Sequence, residues 1–585
     1  MRLFIKLSWY FFREWKRYLG AITILVIIAI MQLLPPYVVG ILIDGVTYNN
    51  MTNKDICMWV IVILITAIII YILRYAWRIL LFGASYKLAI ELRDNFYQQL
   101  SIQQKAFYLS YRTGDLVARV THDVDCVVFA AGEGVLTLVD SIVMSSIVLI
   151  TMSVQIDWQL TLISLVPMPL MAYFIRYYGE KLHHSVKTAQ SSFSILNNYI
   201  QESITSIRMI KAFGIEQTQL SQFIKIAQDN SKKNIGVTKV DAKFDPTIYI
   251  SIGISNILAV GFGSWLVWHN QMTLGQLTRF IMYLGLMIWP MLALAWTFNI
   301  VERGNASWNR INKVLLEKCS VKNDNSNDYI LPYHPGNLKV SINKFYYPNS
   351  SDLVLENINF HLEPGKILGI CGPTGSGKST LISLIQRYFD IEKGEILYHG
   401  ISLKNLSLDN WRSRLAVVNQ IPFLFSDTVI NNITLGKPDA DQKEIEYVSK
   451  MACVHNDILL LTKGYQTEVG ERGTMLSGGQ RQRITLARAL LIDSEILILD
   501  DALSAIDSAT ENQILNNLRN WINNHTLIMI TNHLSSLNEA DEILVLNDGK
   551  ILNRGKHNKL IKKPGWYQDM YRYQQLETAL YIKKY

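Results

Sequence analysis

The chain of 585 residues is poor in charge: Asp, Glu, Lys and Arg together make up only 18% of it. Its five cysteines (Cys57, Cys126, Cys319, Cys371 and Cys453) have neither metal-ligand spacing nor a paired pattern, so nothing implies a disulfide framework. Several long stretches lack charge altogether. None occurs between Arg17 and Asp44, Asp55 and Arg74, Asp157 and Arg176, or Asp245 and Arg279. No small-residue cleavage site follows the first apolar run, so no cleaved signal is expected. The net charge of +8 raises nucleic acid as a partner. Yet the bases lie mostly between or after apolar segments, which suits the cytoplasmic face of a membrane protein and argues against nucleic acid.

What is abundant is apolar. Half the residues are hydrophobic and the mean hydropathy is +0.16, and the apolar runs crowd the first 300 residues. The length is too great for one core and suits two large domains or several small ones. Crossing a bilayer takes about 20 helical residues, and six segments qualify, at about 18–43, 56–76, 127–154, 158–178, 246–268 and 280–301. Buried soluble helices explain one or two such runs, not six. Residues 1–17 mix bases with Trp9, Phe11, Phe12 and Trp15 and read as an interfacial amphipathic helix before a transmembrane domain at 18–315. Bases concentrate before the first span and between Arg208 and Lys243, while the short loops near Asn49, Gln155 and His269 hold one lysine between them. The positive-inside rule then places both termini in the cytoplasm. The inner connections, 85–125 and 177–244, are long and poor in Gly and Pro, so the helices are expected to continue past the membrane. Candidate contact points for a soluble partner are the turn Tyr111–Asp115 and the stretch Ile207–Gly214.

Composition shifts near Lys318. A polar linker is expected at 316–336, an α/β domain at 337–570 and a C-terminal tail at 571–585. The strongest chemical signal is Gly372-Pro373-Thr374-Gly375-Ser376-Gly377-Lys378-Ser379, between a β-run (Ile367–Ile370) and a helix-compatible segment opening at Thr380. This is a P-loop in its required context. Its glycines let backbone N–H groups converge on phosphate oxygens at a helix N-terminus. Lys378 reaches the β- and γ-phosphates and the Ser379 hydroxyl ligates Mg²⁺. A second apolar run, Ile496–Leu499, ends in Asp500, placed to hold Mg²⁺ through water.

Between these two elements lies Leu476-Ser477-Gly478-Gly479-Gln480. With them it resembles the ABC ATPases, in which it is the signature motif. The resemblance implies further roles, in chain order. Tyr347 is the adenine-stacking aromatic, and Gln420 the Q-loop glutamine beside Mg²⁺. Thr467–Gly473 is an exporter-type X-loop, Ser504–Asp507 the D-loop, and His533 the switch histidine. It also implies that ATP binds the P-loop of one subunit, Thr380 included, and Ser477, Gly478, Gly479 and Gln480 of the other. One departure stands out. The family's catalytic glutamate is Asp501 here, shorter by one methylene.

The resemblance extends over the whole chain, through Arg112–Leu116, Ile210–Gly214, Phe129–Ser141 and Met282–Trp296, to type I ABC exporter half-transporters of the multidrug-resistance-like kind in enteric bacteria. It implies a six-helix membrane domain fused to one ATPase, set in the bacterial inner membrane among its lipids. The partner implied is a second, different half-transporter, and the cargo a small amphipathic molecule. A lipid or peptide exporter of the same architecture stays open, although no cysteine-protease domain precedes the spans. Glu133 and Asp140, seven residues apart in the third span, are candidate substrate contacts, because carboxyl groups at bilayer depth usually face a cavity or a partner.

Overall fold

The computed structural model describes residues 2–48, 51–319, 321, 331–332, 334–348, 350–522 and 525–584. Asn49 and the greater part of the expected linker (320, 322–330 and 333) lie outside the described residues. The chain divides into two compact units, Met1–Ser101 with Thr113–Glu317, and Ile102–Arg112 with Lys318–Tyr585.

The first unit is helical. Among the described residues, six helices are long and apolar enough to cross a bilayer: α1 (Trp15–Thr47), α2 (Asn53–Ile102), α3 (Thr113–Gln155), α4 (Trp158–Thr205), α5 (Glu216–Trp268) and α6 (Leu274–Leu315). Their breaks have a common cause. Regular helix stops at Gln32–Leu33, Val166, Ala242–Lys243 and Met287, and Pro35, Pro167, Pro246 and Pro290 stand in the turns that follow. Proline has no N–H to donate and is tolerated only in a first turn, so each helix restarts there. In α3 two stretches, Arg119–Asp123 and Ala130–Gly134, widen into π-helical turns.

Residues 1–17, expected as one helix, form two short ones, Arg2–Lys6 and Ser8–Arg13, before α1 begins at Trp15. Leu3, Leu7 and Tyr10 are fully buried, and the Tyr10 hydroxyl donates to the Ala84 carbonyl at 2.6 Å. Phe12 and Trp15 remain exposed on the other face. At the far end of α1, Asp44 accepts from the Thr273 hydroxyl and the Gly275 N–H, each at 2.7 Å. Thr273 is the N-cap of α6, so a carboxylate from α1 closes the exposed end of another helix. The helices meet almost backbone to backbone. A Cβ at Gly275 would lie 2.1 Å from the Gly40 carbonyl oxygen.

The second unit is α/β. A six-stranded sheet runs β10 (Lys550–Gly555), β9 (Glu542–Asn547), β3 (Ile367–Cys371), β8 (Thr526–Ile530), β7 (Ile496–Asp500), β6 (Leu415–Val418). All its pairings are parallel except β9 with β10. Strands covered on both faces read as unbroken apolar runs, which is why Ile-Leu-Ile-Leu and Leu-Ile-Met-Ile stand out in the sequence. A second, antiparallel sheet is ordered β2 (Leu353–Leu362), β1 (Leu338–Tyr346), β4 (Lys393–Tyr398), β5 (Ile401–Ser402). Two helices matter below, α7 (Lys378–Ile385) and α8 (Gly478–Leu491).

Two sequence boundaries move. The tail expected from 571 is the continuation of a helix, α9 (Trp566–Lys584), which crosses that limit. Its Tyr567 is buried, and Trp566, Met570 and Tyr571 pack on the same core at helical spacing. The segment Ile102–Arg112, assigned by sequence to the membrane domain, belongs to the second unit. Its Lys105 donates to the Ser383 hydroxyl at 3.1 Å, and the side-chain amide oxygen of Gln104 accepts from Arg412 at 2.7 Å.

Candidate functional site

Parallel strands bring their carboxyl ends to one edge. In register, Ile370 of β3 stands beside Ile530 of β8, which stands beside Asp500 of β7. The chain leaving those three strands supplies Thr374–Thr380, Thr531–Asn532 and Asp501. Together with Gln420 they line an open cavity of about 250 Å³. A crevice beyond the carboxyl ends of an open sheet is where α/β folds bind ligands.

The P-loop turn needs its glycines. Gly372, Gly375 and Gly377 take φ of +148°, +86° and +98°, in the region that side chains avoid. A Cβ on Gly372 would sit 2.0 Å from the Leu546 carbonyl oxygen, and one on Gly377 2.6 Å from a Leu355 methyl. Gly377 is the N-cap of α7, whose first N–H groups have no acceptor within the helix. The Ser376 hydroxyl is buried without a hydrogen-bond partner among the described residues. The Lys378 ammonium donates to the carbonyls of Gly372 and Pro373, at 2.7 and 2.9 Å. Burial holds its pKa below the usual lysine value, against the opposing pull of Cys371, Asp501 and Asp500. A half-buried cation, unpaired donors and a cradle too narrow for side chains together fit a polyphosphate.

Across the cavity, burial raises the Asp500 carboxyl above the ordinary aspartate value. The Asp501 charge adds to the shift, while Lys105 and Lys378 oppose it. Asp501 has φ +49°, and its N–H donates to the Ile530 carbonyl at 2.8 Å. Aspartate enters this left-handed region more readily than most side chains. The Gln420 amide donates to the Asp501 carboxylate at 3.3 Å. Two facing carboxylates and an amide oxygen, opposite the exposed Ser379 hydroxyl, form an oxygen-rich set of the kind Mg²⁺ takes.

Other candidate residues lie elsewhere. Tyr347 does not line the cavity. Its ring packs against Phe345 and Phe389, and its hydroxyl shares a 2.8 Å hydrogen bond with Thr380. His533 is exposed and also outside the lining, although its neighbours Thr531 and Asn532 are part of it. Ser477, Gly478, Gly479 and Gln480 open α8 away from the cavity. There Ser477 and Gln480 form a reciprocal capping box. The Gln482 amide ties this helix to the Ser504–Asp507 loop, accepting from the Ala505 N–H at 3.0 Å. Thr531 and Asn532 escaped notice in the sequence, and the signal was their place directly after an apolar strand.

In the first unit, Glu133 lies in the second π-helical turn of α3 and Asp140 two turns further on, both half-buried. Neither carboxylate has a hydrogen-bond partner among the described residues. Arg78 and Arg74 of α2 are the cations acting on Glu133 and Asp140 respectively.

Known proteins resemble both units. Residues 18–291 match the family model of the ABC transporter transmembrane region, and residues 355–504 that of the ABC transporter. The chain is 62% identical over 580 residues to the multidrug resistance-like ATP-binding protein MdlA of Escherichia coli (strain K12), covering 99% of this chain and 98% of that one. It is 38% identical to the probable multidrug resistance ABC transporter ATP-binding/permease protein YheI of Bacillus subtilis (strain 168), covering 98% of each. A solved bacterial Atm1-family ABC exporter with ATP bound superposes with a TM-score of 0.83, over 96% of this chain and 99% of that one. At 23% identity this last likeness speaks for the fold.

Proposed function

This chain belongs to the ABC transporter family, and from that premise we propose that it is one half of a two-subunit exporter of amphipathic small molecules. It is a multi-pass membrane protein whose second unit binds nucleotide, and it couples ATP hydrolysis to transport. The observation that carries the proposal is the joining, in one chain, of a P-loop cavity closed by Asp500 and Asp501 to six bilayer-length helices.

In this proposal Lys378 and the first N–H groups of α7 hold the β- and γ-phosphates, and Tyr347 stacks on adenine. Ser379, Gln420 and Asp500 hold Mg²⁺, which, when bound, neutralises charge on the phosphate oxygens. Asp501 orients the attacking water and His533 contacts the terminal phosphate. Placing groups for an in-line displacement is most of what the protein contributes to phosphoryl transfer. Ser477, Gly478, Gly479 and Gln480 act on the nucleotide of the other subunit. Their position off the cavity supports that assignment. The partner is an MdlB-like half-transporter, so the complex is a heterodimer. The location is the bacterial inner membrane with both termini in the cytoplasm, supported by the bases before α1 and along α5.

For the cargo, two things favour amphipathic drugs: the names of the similar proteins, and the carboxyl groups Glu133 and Asp140 at bilayer depth. A test is ATPase and transport in liposomes holding both subunits, with a cationic dye, a neutral dye and a labelled phospholipid. Dye-stimulated hydrolysis with dye accumulation is expected. Movement of the phospholipid alone would replace this reading with a lipid exporter.

A further inference from the structure

The loop that carries His533 is held by a residue no motif marks. Gln574, half-buried on α9, meets the backbone on both sides of His533. Its carbonyl oxygen accepts from the Leu534 N–H at 3.0 Å, and its amide donates to the Asn532 carbonyl at 2.7 Å. Three further backbone groups of the loop are also engaged. The His533 N–H donates to the Thr531 hydroxyl at 2.9 Å, and the His533 carbonyl accepts from Ser536 N–H at 3.2 Å. Upstream, the Thr531 N–H donates to the Ile370 carbonyl at 3.2 Å, tying the loop to the strand that leads into the P-loop. The imidazole itself has no partner among the described residues and is exposed.

We propose that Gln574 is a positioning residue for ATP hydrolysis, which fixes the backbone around His533 so that the imidazole meets the terminal phosphate in one orientation. The proposal rests on the reading of His533 as the phosphate-facing residue. The chemistry requires glutamine. One side chain must supply an acceptor and a donor at once, to a backbone N–H and a carbonyl two residues apart, and a primary amide has both. The position is equally specific. Tyr567, Met570 and Tyr571 anchor α9 to the core. Gln574 follows one and two turns along that stripe, so it arrives at the loop on a helix already fixed by packing. A misplacement of about 1 Å costs catalysis on the order of a hundredfold, so a loop bracketed on both flanks favours rapid turnover.

The test uses the purified full-length chain, which carries these residues at every site it forms. Gln574→Leu should lower kcat roughly tenfold with KM for ATP almost unchanged, and should speed amide exchange in the segment 532–536. Gln574→Glu keeps the acceptor for Leu534 but sets a carboxylate against the Asn532 carbonyl, so its kcat should fall between the two. In a His533→Ala background, Gln574→Leu should cost nothing further. A normal kcat in Gln574→Leu, while His533→Ala is inactive, overturns the proposal alone. Normal turnover in His533→Ala overturns the reading of His533 and the proposal with it. An equal further loss from Gln574→Leu in the His533→Ala background shows that Gln574 acts elsewhere, and also overturns it.

Discussion

The two units hold their polar groups in opposite ways. In the ATPase unit, the residues that carry chemistry stand at the ends of adjacent parallel strands, and local backbone demands mark them: Gly372 and Gly377 because nothing larger fits, Asp500 because its strand ends there. In the membrane unit, charges come singly along apolar helices, and their roles depend on which helix they meet. Asp44 looks in the sequence like the end of an uncharged run, yet in the fold it closes the N-terminus of α6. Local chemistry is written in consecutive residues. Chemistry made by packing is written in residues some 230 positions apart.

The largest effect that sharpens this contrast is expected at Lys378. Lys378→Ala should cut ATP hydrolysis by two to three orders of magnitude, the usual loss when a preorganised electrostatic group at the reacting phosphate is removed. Membrane insertion and thermal stability should hardly change, because the lysine's hydrogen bonds go only to carbonyls of its own loop. Assays of turnover and melting on the same preparation separate the two. A mutant that still hydrolyses ATP at the normal rate would mean the cavity is not the ATP site.

A smaller effect is expected at Asp501. Alone, the chain should turn over slowly, since both sites of a homodimer carry the shorter carboxylate. With a glutamate-bearing partner it should gain one fast site. Asp501→Glu should speed the chain's own site by about 10- to 100-fold, if reach is the limit. The backbone adds a second expectation. At φ +49° a longer side chain is less at ease than aspartate, so the faster variant should also be less stable, by about 1 kcal/mol, and melt at a lower temperature. A variant that is no faster would show that the backbone already delivers the shorter carboxylate to the right place.

Smaller again, and confined to the membrane unit, is the effect of Gly275→Ala. The new methyl group falls 2.1 Å from the Gly40 carbonyl oxygen and within 2.5 Å of the Asp44 carboxylate, so α1 and α6 must part. Overpacking of this kind costs about 1–3 kcal/mol. Thermal melting of the purified complex should report the loss, while ATP affinity stays as it was. An unchanged melting temperature would mean that the two helices separate at no cost.

The fold class was legible in the sequence because its two signals are regional: six apolar runs, then strand–P-loop–helix and strand–Asp. Within the site, Gly372–Ser379 and Asp500 were legible from order along the chain alone. Tyr347 and His533 were found only through family resemblance, and the cavity lining includes neither. The role of Gln574 and the membership of Ile102–Arg112 in the second unit were illegible for one physical reason. Each depends on a tertiary hydrogen bond made by a common polar residue (Gln574, Gln104 or Lys105), and no local pattern distinguishes such a glutamine or lysine from a solvated one. Likewise the burial of Leu3, Leu7 and Tyr10 depends on tertiary packing, which composition does not record.

The smallest expected effect tests what the membrane unit's acids do. Glu133 and Asp140 are seven residues apart, two turns of helix, so they share roughly one face of α3. A carboxylate pair at that depth favours a cationic amphipathic cargo, and the Trp289 ring, 57% exposed on α6, can add a cation–π contact. Arg74 and Arg78 act against this preference, since each offsets one of the acids from α2. The net attraction for a cation is therefore expected to be modest, and Asp140→Asn should reduce transport of a cationic dye by only a few-fold while sparing a neutral dye of similar size. The measurement is uptake of both dyes into liposomes holding the paired transporter, with ATP turnover followed in parallel. Equal loss of both dyes would mean that Asp140 serves the packing of α2 on α3. No loss of either would mean that Arg74 already cancels it, and that the cation preference, if present, is set by Glu133 and the aromatic residues.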